Sequence, residues 1–178
     1  GLRMNGSNTI FSPSVFADGV FPSLGALLIV NTYITLLFFC TYLIKGRITK
    51  NLTHDKSKAK ARLIIFSILM VLCIAGTIIY THATLVSFLN NSSITLELYR
   101  IGSNLMYSIL VYISYTGLLI SVLLQIQLLR PTINAVTGKH INVFSRKSML
   151  TFAFIAATYF SITTSYHGFR KEVDKAQV

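Results

Sequence analysis

Acidic residues are scarce in this sequence. It has five Asp and Glu against 16 Lys and Arg in 178 residues, and only 12% of the chain is charged. Soluble domains carry about 25% charged residues, so a fraction this low excludes an ordinary soluble domain. All the acids lie outside the long apolar runs, at Asp18, Asp55, Glu97, Glu172 and Asp174. Proton- and ion-coupled pumps usually bury charged residues within such runs. Their scarcity therefore disfavours a coupled pump, although facilitated transport stays open.

Cysteine is also rare, and the motifs of catalysis are missing. Cys40 and Cys73 both lie within apolar runs, and neither has a His or a second Cys at ligand spacing. We therefore expect neither a disulfide framework, nor a metal site, nor a cofactor. The sequence contains no HExxH motif, no Ser-His-Asp set and no glycine-rich phosphate loop. These absences predict a protein that is not an enzyme.

The basic residues are concentrated in one hydrophilic stretch, from Lys45 to Arg62, which reads KGRITKNLTHDKSKAKAR. Charge-free runs lie on both sides of it, at residues 19–44 and 63–96. A run of about 20 apolar residues is long enough to cross a bilayer as a helix. A short loop rich in Lys and Arg between two such runs faces the cytoplasm. The basic residues of this cytoplasmic loop are Lys45, Arg47, Lys50, Lys56, Lys58, Lys60 and Arg62.

The pattern predicts an all-α fold, a polytopic integral membrane helical bundle with about four transmembrane helices. Within a bundle at 23–166, the predicted spans are 23–44, 63–89, 99–129 and 148–166. Arg130-Pro131 is expected to end the third span, because proline is common just after a helix. The last span is diluted by Thr and Ser, so it either crosses the membrane or lies on its inner surface; we expect it to cross. The polar tail, 167–178, is expected to lack regular structure.

Charge asymmetry predicts the orientation of the bundle. The second inside loop, 130–147, has four basic residues and no acid, so the two inside loops hold eleven of the 16 basic residues. Segment 1–22 is then extracellular or lumenal, and both termini lie outside if all four segments cross. Its sequon at Asn5, and those at Asn90 and Asn91, are glycosylation candidates on the same side. The predicted location is the plasma membrane or an endomembrane.

A few polar side chains fall within the predicted spans. In the third span they recur at helical spacing, on or near one stripe of its outer half. One interpretation is interhelical packing with interfacial tyrosines and a structural histidine. The other is a small, mostly apolar ligand pocket open to the outside. The candidate ligand-binding residues are Asn31, His82, Asn104, Tyr107, Ser108, Tyr112 and Tyr115.

The order of these features resembles the last three helices of a seven-helix G-protein-coupled receptor, and most of all the nematode serpentine chemoreceptors. The resemblance covers roughly residues 20–135: an outside segment, an uncharged helix, the basic loop, a helix entering directly from Lys/Arg, and a Tyr/Ser-rich helix ending in Leu-Leu-Arg-Pro. It implies that 45–62 is similar to the third internal loop and faces a G protein. Mapping onto the first four helices is the other possibility. The start at Gly1 predicts a fragment of such a receptor.

Two other classes of membrane protein remain open on sequence alone. One is a four-helix structural or accessory protein that associates with another helix bundle. The other is a transporter or channel component. In every case the expected partner is the lipid bilayer, and nucleic acid is not expected, because the basic residues lie in gaps between apolar runs.

Overall fold

A computed structural model describes residues 11–13, 16–53, 56–92, 105–137 and 145–176. Within these ranges the chain is helical and contains no strand. The helices are α1 (Leu24–Leu43), α2 (Lys45–Thr53), α3 (Lys56–Asn91), α4 (Leu105–Thr137) and α5 (Arg146–Ala176). The predicted all-α class is confirmed for the part of the chain that the structure describes.

Four of these helices are long and apolar enough to cross a membrane. Their apolar stretches are Leu24–Leu43, Ala61–Asn91, Met106–Arg130 and Lys147–Arg170. Three of them begin or end within a few residues of the predicted spans. The fourth includes the weak run from 148 to 166, so length and composition admit all four predicted spans.

Serine side chains mark the start of two helices. Ser23 precedes α1, and its hydroxyl accepts a hydrogen bond from the backbone N–H of Ala26 at 3.2 Å. Ser145 precedes α5 and accepts from the backbone N–H of Ser148 at 3.2 Å. Such caps satisfy backbone donors that have no partner inside the helix. Helix α1 ends at Leu43, and Ile44 is the single turn residue between it and α2.

Helix α4 lies at the centre of the bundle. It packs against both α1 and α3, and 44% of its apolar stretch is buried, compared with 6% for α5. Helices α1 and α4 run parallel, because Asn31 bonds to Ser114 and Thr35 lies against Gly117. Helix α3 runs antiparallel to α4. Helix α5 is therefore the peripheral member.

The two ends of the bundle differ in character. At the capped end, where α1 begins and α3 ends, residues 16–22 cover the helices, and Phe16 and Phe21 join the larger apolar core. At the basic end, α2 and the start of α3 carry the Lys/Arg residues. A smaller apolar cluster around Met70, Leu128 and Leu129 lies nearer this end.

Three boundaries differ from those predicted. Pro131 does not end its helix, since α4 continues to Thr137. The polar tail is largely helical, because α5 extends to Ala176. The basic stretch is also helical, divided between α2 and the beginning of α3. Helix formers such as Ala, Lys and Arg dominate the residues from Lys56 to Arg62, so helical propensity explains that last difference.

Candidate functional site

The chain before α1 folds over the capped end of the bundle. Phe16 is 1% exposed, and its ring centroid lies 5.4 Å from that of Phe88 on α3. Phe21 meets Tyr80 edge to face, with centroids 6.3 Å apart. Tilted and edge-to-face rings at these distances attract one another. We refer to residues 16–22 as the cap segment.

A single carboxylate organises the cap segment. One oxygen of Asp18 accepts hydrogen bonds from the backbone N–H groups of Val20 and Phe21, each at 2.7 Å. This is the local turn that Asp side chains favour. The other oxygen accepts a hydrogen bond from the hydroxyl of Ser87 on α3. Partial burial works to raise the pKa of Asp18, but the bonds from Ser87, Phe21 and Val20 outweigh it and hold the pKa below its usual 3.8.

A buried polar network lies below the cap segment, between α1, α3 and α4. Asn31 is completely buried. Its Nδ2 donates to the hydroxyl of Ser114 at 2.6 Å, and its Oδ1 accepts from the hydroxyl of Tyr80 at 2.8 Å. An unsatisfied amide in an apolar interior costs about 1–3 kcal/mol. These bonds therefore make Asn31 the point at which three helices are joined.

A second group of contacts joins α5 to the bundle. The Nδ1 atom of His82 lies 2.8 Å from the hydroxyl of Tyr159. The ring of Phe160 lies 6.1 Å from that of Tyr112 and 5.8 Å from that of Tyr115. The peripheral helix is thus seated by aromatic and histidine contacts near the capped end.

Four of the predicted ligand-binding residues, Asn31, His82, Tyr112 and Tyr115, belong to these two groups. Asn31 belongs to the buried network, whereas His82 contacts Tyr159 and is exposed. Tyr115 and Ser108 are buried within α4, and Tyr107 and Tyr112 are half-buried at its edge. Asn104 lies outside the described residues. The tyrosines of α4 therefore face the core and α5, and the structure does not join them directly to Asn31.

Sequence reasoning missed several residues at this site. Ser114, Tyr80 and Tyr159 supply the partners of Asn31 and His82, and Asp18 fastens the cap segment. Helical spacing could have predicted Tyr80 as a core-facing residue, because Tyr80 and Thr84 lie one turn apart on the face of α3 that meets the core. No sequence pattern showed which face of α1 would meet that surface.

The basic end presents positive charge on α2 and α3. Arg47, Lys50 and Arg62 are exposed. The ammonium group of Lys45 lies 3.0 Å from the hydroxyl of Tyr42 and 4.1 Å from the centre of its ring. Lys56, Lys58 and Lys60 lie in the first turns of α3.

Two of the glycosylation candidates lie in the last turn of α3. The Nδ1 atom of His167 lies 3.0 Å from Oδ1 of Asn90, and Nδ2 of Asn91 donates to Ser87 at 3.2 Å. Both asparagines are exposed. Asn5 lies outside the described residues.

Comparisons with protein-family models, with curated proteins and with solved structures find no match to this chain.

Proposed function

We propose that this protein is a multi-pass integral membrane protein of receptor type. Its capped half binds a small molecule from outside, and its basic end contacts a cytoplasmic partner such as a G protein. The observation that carries the proposal is the continuity of α3. This one helix carries Tyr80 and Ser87 at the capped end and Lys56 to Arg62 at the basic end.

The length of α3 suits a helix that connects two sides of a membrane. It has 36 residues, so at 1.5 Å per residue it is about 54 Å long, compared with about 30 Å for the hydrocarbon core. A tilt at its capped end therefore displaces its basic end beyond the membrane. Seating a ligand against Tyr80 or the cap segment would change that tilt.

The exposed surface of the bundle supports insertion in a membrane. Large apolar side chains lie exposed along α1, α3 and α5. Monomeric soluble proteins rarely expose contiguous apolar surface of more than a few hundred Å², whereas lipid tails cover such surface well. Examples of these exposed side chains are Ile29, Leu36, Ile65, Ile79, Phe154 and Ile162.

The residues of the capped half indicate the class of ligand. Aromatic rings of Tyr80, Tyr112 and Phe160 supply apolar surface, and the exposed imidazole of His82 supplies a hydrogen-bonding group. The carboxylate of Asp18 is already engaged by Ser87 and the cap backbone. These groups suit an uncharged, mostly apolar molecule with one polar function, such as an alcohol, a ketone or a phenol.

A reporter at the basic end tests the proposed coupling. A fluorophore is attached at Ser57→Cys in a chain without Cys40 and Cys73, reconstituted in nanodiscs. Octanol, nonanone and phenol serve as probes. We expect at least one of them to shift the emission, and Asn31→Leu to shift it without a probe. The matched control is Thr32→Val, because Thr32 is exposed and its hydroxyl bonds to the backbone of Leu28 in its own helix. A reporter that responds to neither the probes nor Asn31→Leu would contradict a receptor function.

The position of α5 favours a second candidate, an accessory subunit of another membrane complex. Only 6% of its apolar stretch is buried, and large apolar side chains such as Phe154, Ile155 and Ile162 are exposed on it. Ala153 and Ala157 are exposed on it at a four-residue spacing that permits close approach of another helix. This candidate predicts association through α5, so Ala153→Leu with Ala157→Leu would abolish co-purification with a partner. Under the receptor proposal the same double substitution leaves the Ser57→Cys response unchanged.

A further inference from the structure

A polar layer divides the apolar core of the bundle in two. The larger cluster contains Leu85 on α3 and Leu118 on α4. The smaller contains Met70 on α3 and Leu128 on α4. Buried polar side chains lie between them in both helices, and four of these, Thr77 and Thr81 on α3 and Ser121 and Gln125 on α4, form the layer considered below. The layer is independent of the capped-end contacts described above.

Gln125 is the central member of this layer, and only one end of its amide is satisfied. The residue is completely buried, and its Nε2 donates to the hydroxyl of Thr77 at 3.0 Å. Its Oε1 has no hydrogen-bond partner among the described residues. Thr77 donates its own hydrogen to the carbonyl of Cys73 at 2.8 Å. Turning the amide over would place Oε1 against the hydroxyl oxygen of Thr77, whose hydrogen is already donated to Cys73, so the network favours the orientation described.

The neighbouring hydroxyls offer acceptors but no free donor hydrogens. Thr81 donates to the carbonyl of Thr77 at 2.7 Å, and Ser121 donates to that of Leu118 at 2.7 Å. Ser121 lies one helical turn before Gln125, and Thr81 lies one turn beyond Thr77, so each is adjacent to the amide pair along its helix. Because the hydroxyl hydrogens of Thr77, Thr81 and Ser121 are all donated to backbone carbonyls, the layer favours a molecule that supplies its own hydrogen-bond donors.

We propose that this layer binds a buried water molecule, which donates one hydrogen to Oε1 of Gln125 and the other to a hydroxyl oxygen of Thr81 or Ser121. A cation would also suit a set of acceptors, but the four apolar stretches contain no Asp or Glu to balance its charge. Desolvating an unpaired ion in such surroundings is far more costly than burying water. Water with two or more polar partners is a regular component of protein interiors.

Asn31 provides a matched control in the same bundle. Both amides are completely buried, but Asn31 has protein partners at both ends of its amide. The full chain is reconstituted in bilayers with ¹⁵N label, and magnetisation transfer from water to side-chain NH₂ groups is followed by solid-state NMR. The signals are assigned by correlation with the backbone of the native protein, so no variant needs to fold. We expect transfer to Gln125 to be several-fold faster than transfer to Asn31.

The thermal stability of Gln125→Met is a second test, because a dry layer and a hydrated layer predict changes of Tm in opposite directions. Met has a similar length and no polar group, and its introduction leaves the hydroxyl of Thr77 bonded to Cys73. If the layer were dry, this variant would remove an unsatisfied acceptor and raise Tm. If the layer is hydrated, the variant removes a hydrogen-bond acceptor of the buried water and lowers Tm. Transfer to Gln125 that is as slow as transfer to Asn31, or a higher Tm for Gln125→Met, would overturn the proposal.

Discussion

The carboxylate of Asp18 accepts a hydrogen bond from the hydroxyl of Ser87, a residue 69 positions further along the chain. This bond fastens the cap segment to the last turns of α3. The same carboxylate holds the cap's own turn through the backbone N–H groups of Val20 and Phe21. One acidic side chain therefore sets both the shape of the cap and its attachment to the bundle.

The attachment of the cap depends on the charge of Asp18. Because its folded-state pKa is lowered below 3.8, the stabilisation is complete at pH values above 3.8 and is lost as the pH falls through the lowered value. We expect hydrogen-exchange protection of the Val20 and Phe21 amides, corrected for intrinsic rates, to be constant from neutral pH down to about pH 4 and to decrease below it. Asp18→Asn keeps an acceptor oxygen but no charge. Its protection should be lower by about 1 kcal/mol or less and independent of pH.

A protection profile that is flat with pH in the native chain would contradict this prediction. So would an Asp18→Asn variant that retains the native pH dependence. Either result would mean that the apolar contacts of the cap determine its closure without the carboxylate.

Phe16 is the apolar anchor of the same segment. Removing a fully buried Phe side chain costs about 3–5 kcal/mol in a rigid core. That cost is an upper limit here, because the cap segment can detach instead of leaving a cavity. We expect Phe16→Ala to release the cap, which proteolysis between residues 16 and 22 would detect. Val20→Ala is the matched control, because Val20 is 78% exposed in the same segment. Equal cleavage of the two variants would show that Phe16 does not anchor the cap.

The positions of the long helices were predictable because their cause is compositional. A run without charge that is long enough to cross a bilayer has few other stable environments. Helix α1, at Leu24–Leu43, therefore matches the predicted span of 23–44 closely. Pro131 shows where local rules gave the wrong answer. It lacks a backbone donor, yet α4 continues past it to Thr137.

The end of α5 was mispredicted for a different reason. Its mixed charges suggested a disordered tail, but Glu172 and Lys175, and Arg170 and Asp174, have the spacing that stabilises helices. The partners within the candidate site were not predictable. Asn31 and Ser114 are 83 positions apart, and their meeting depends on the rotation of α1 and α4 about their axes. Neither helix has an apolar face distinct enough to fix that rotation, since both are apolar nearly all round.

Close approach of α1 and α4 requires glycine at position 117. A Cβ added there would lie 2.9 Å from the hydroxyl oxygen of Thr35, which is tighter than van der Waals contact allows. We expect Gly117→Ala to destabilise the bundle by about 1–3 kcal/mol. Thr35→Ala removes the two atoms that obstruct the new methyl group. The double variant should therefore recover most of the lost stability in thermal unfolding.

Gly76 supplies the control for that experiment. It lies within α3, and a Cβ added there meets nothing within 4 Å. Gly76→Ala should stabilise the helix by up to about 1 kcal/mol, because Ala has the higher helix propensity. If Gly117→Ala were as stable as Gly76→Ala, the α1–α4 contact would be looser than described.

Helix α5 runs parallel to α3, and this orientation can be tested directly. His82 contacts Tyr159 and Asn90 contacts His167, so both pairs are separated by 77 positions. An equal separation at two points on the same pair of helices requires them to point the same way.

In a chain without its native cysteines, Asn90→Cys with His167→Cys should therefore be joined efficiently by a short bis-maleimide. Asn90→Cys with Lys147→Cys should not be cross-linked, because Lys147 lies at the opposite end of α5, near the basic end. That end would then carry the positive charge of α2, of the start of α3 and of the start of α5 together, as the positive-inside rule requires for the cytoplasmic face. Efficient cross-linking of the Lys147 pair would show that α5 runs antiparallel to α3, with its basic start at the capped end.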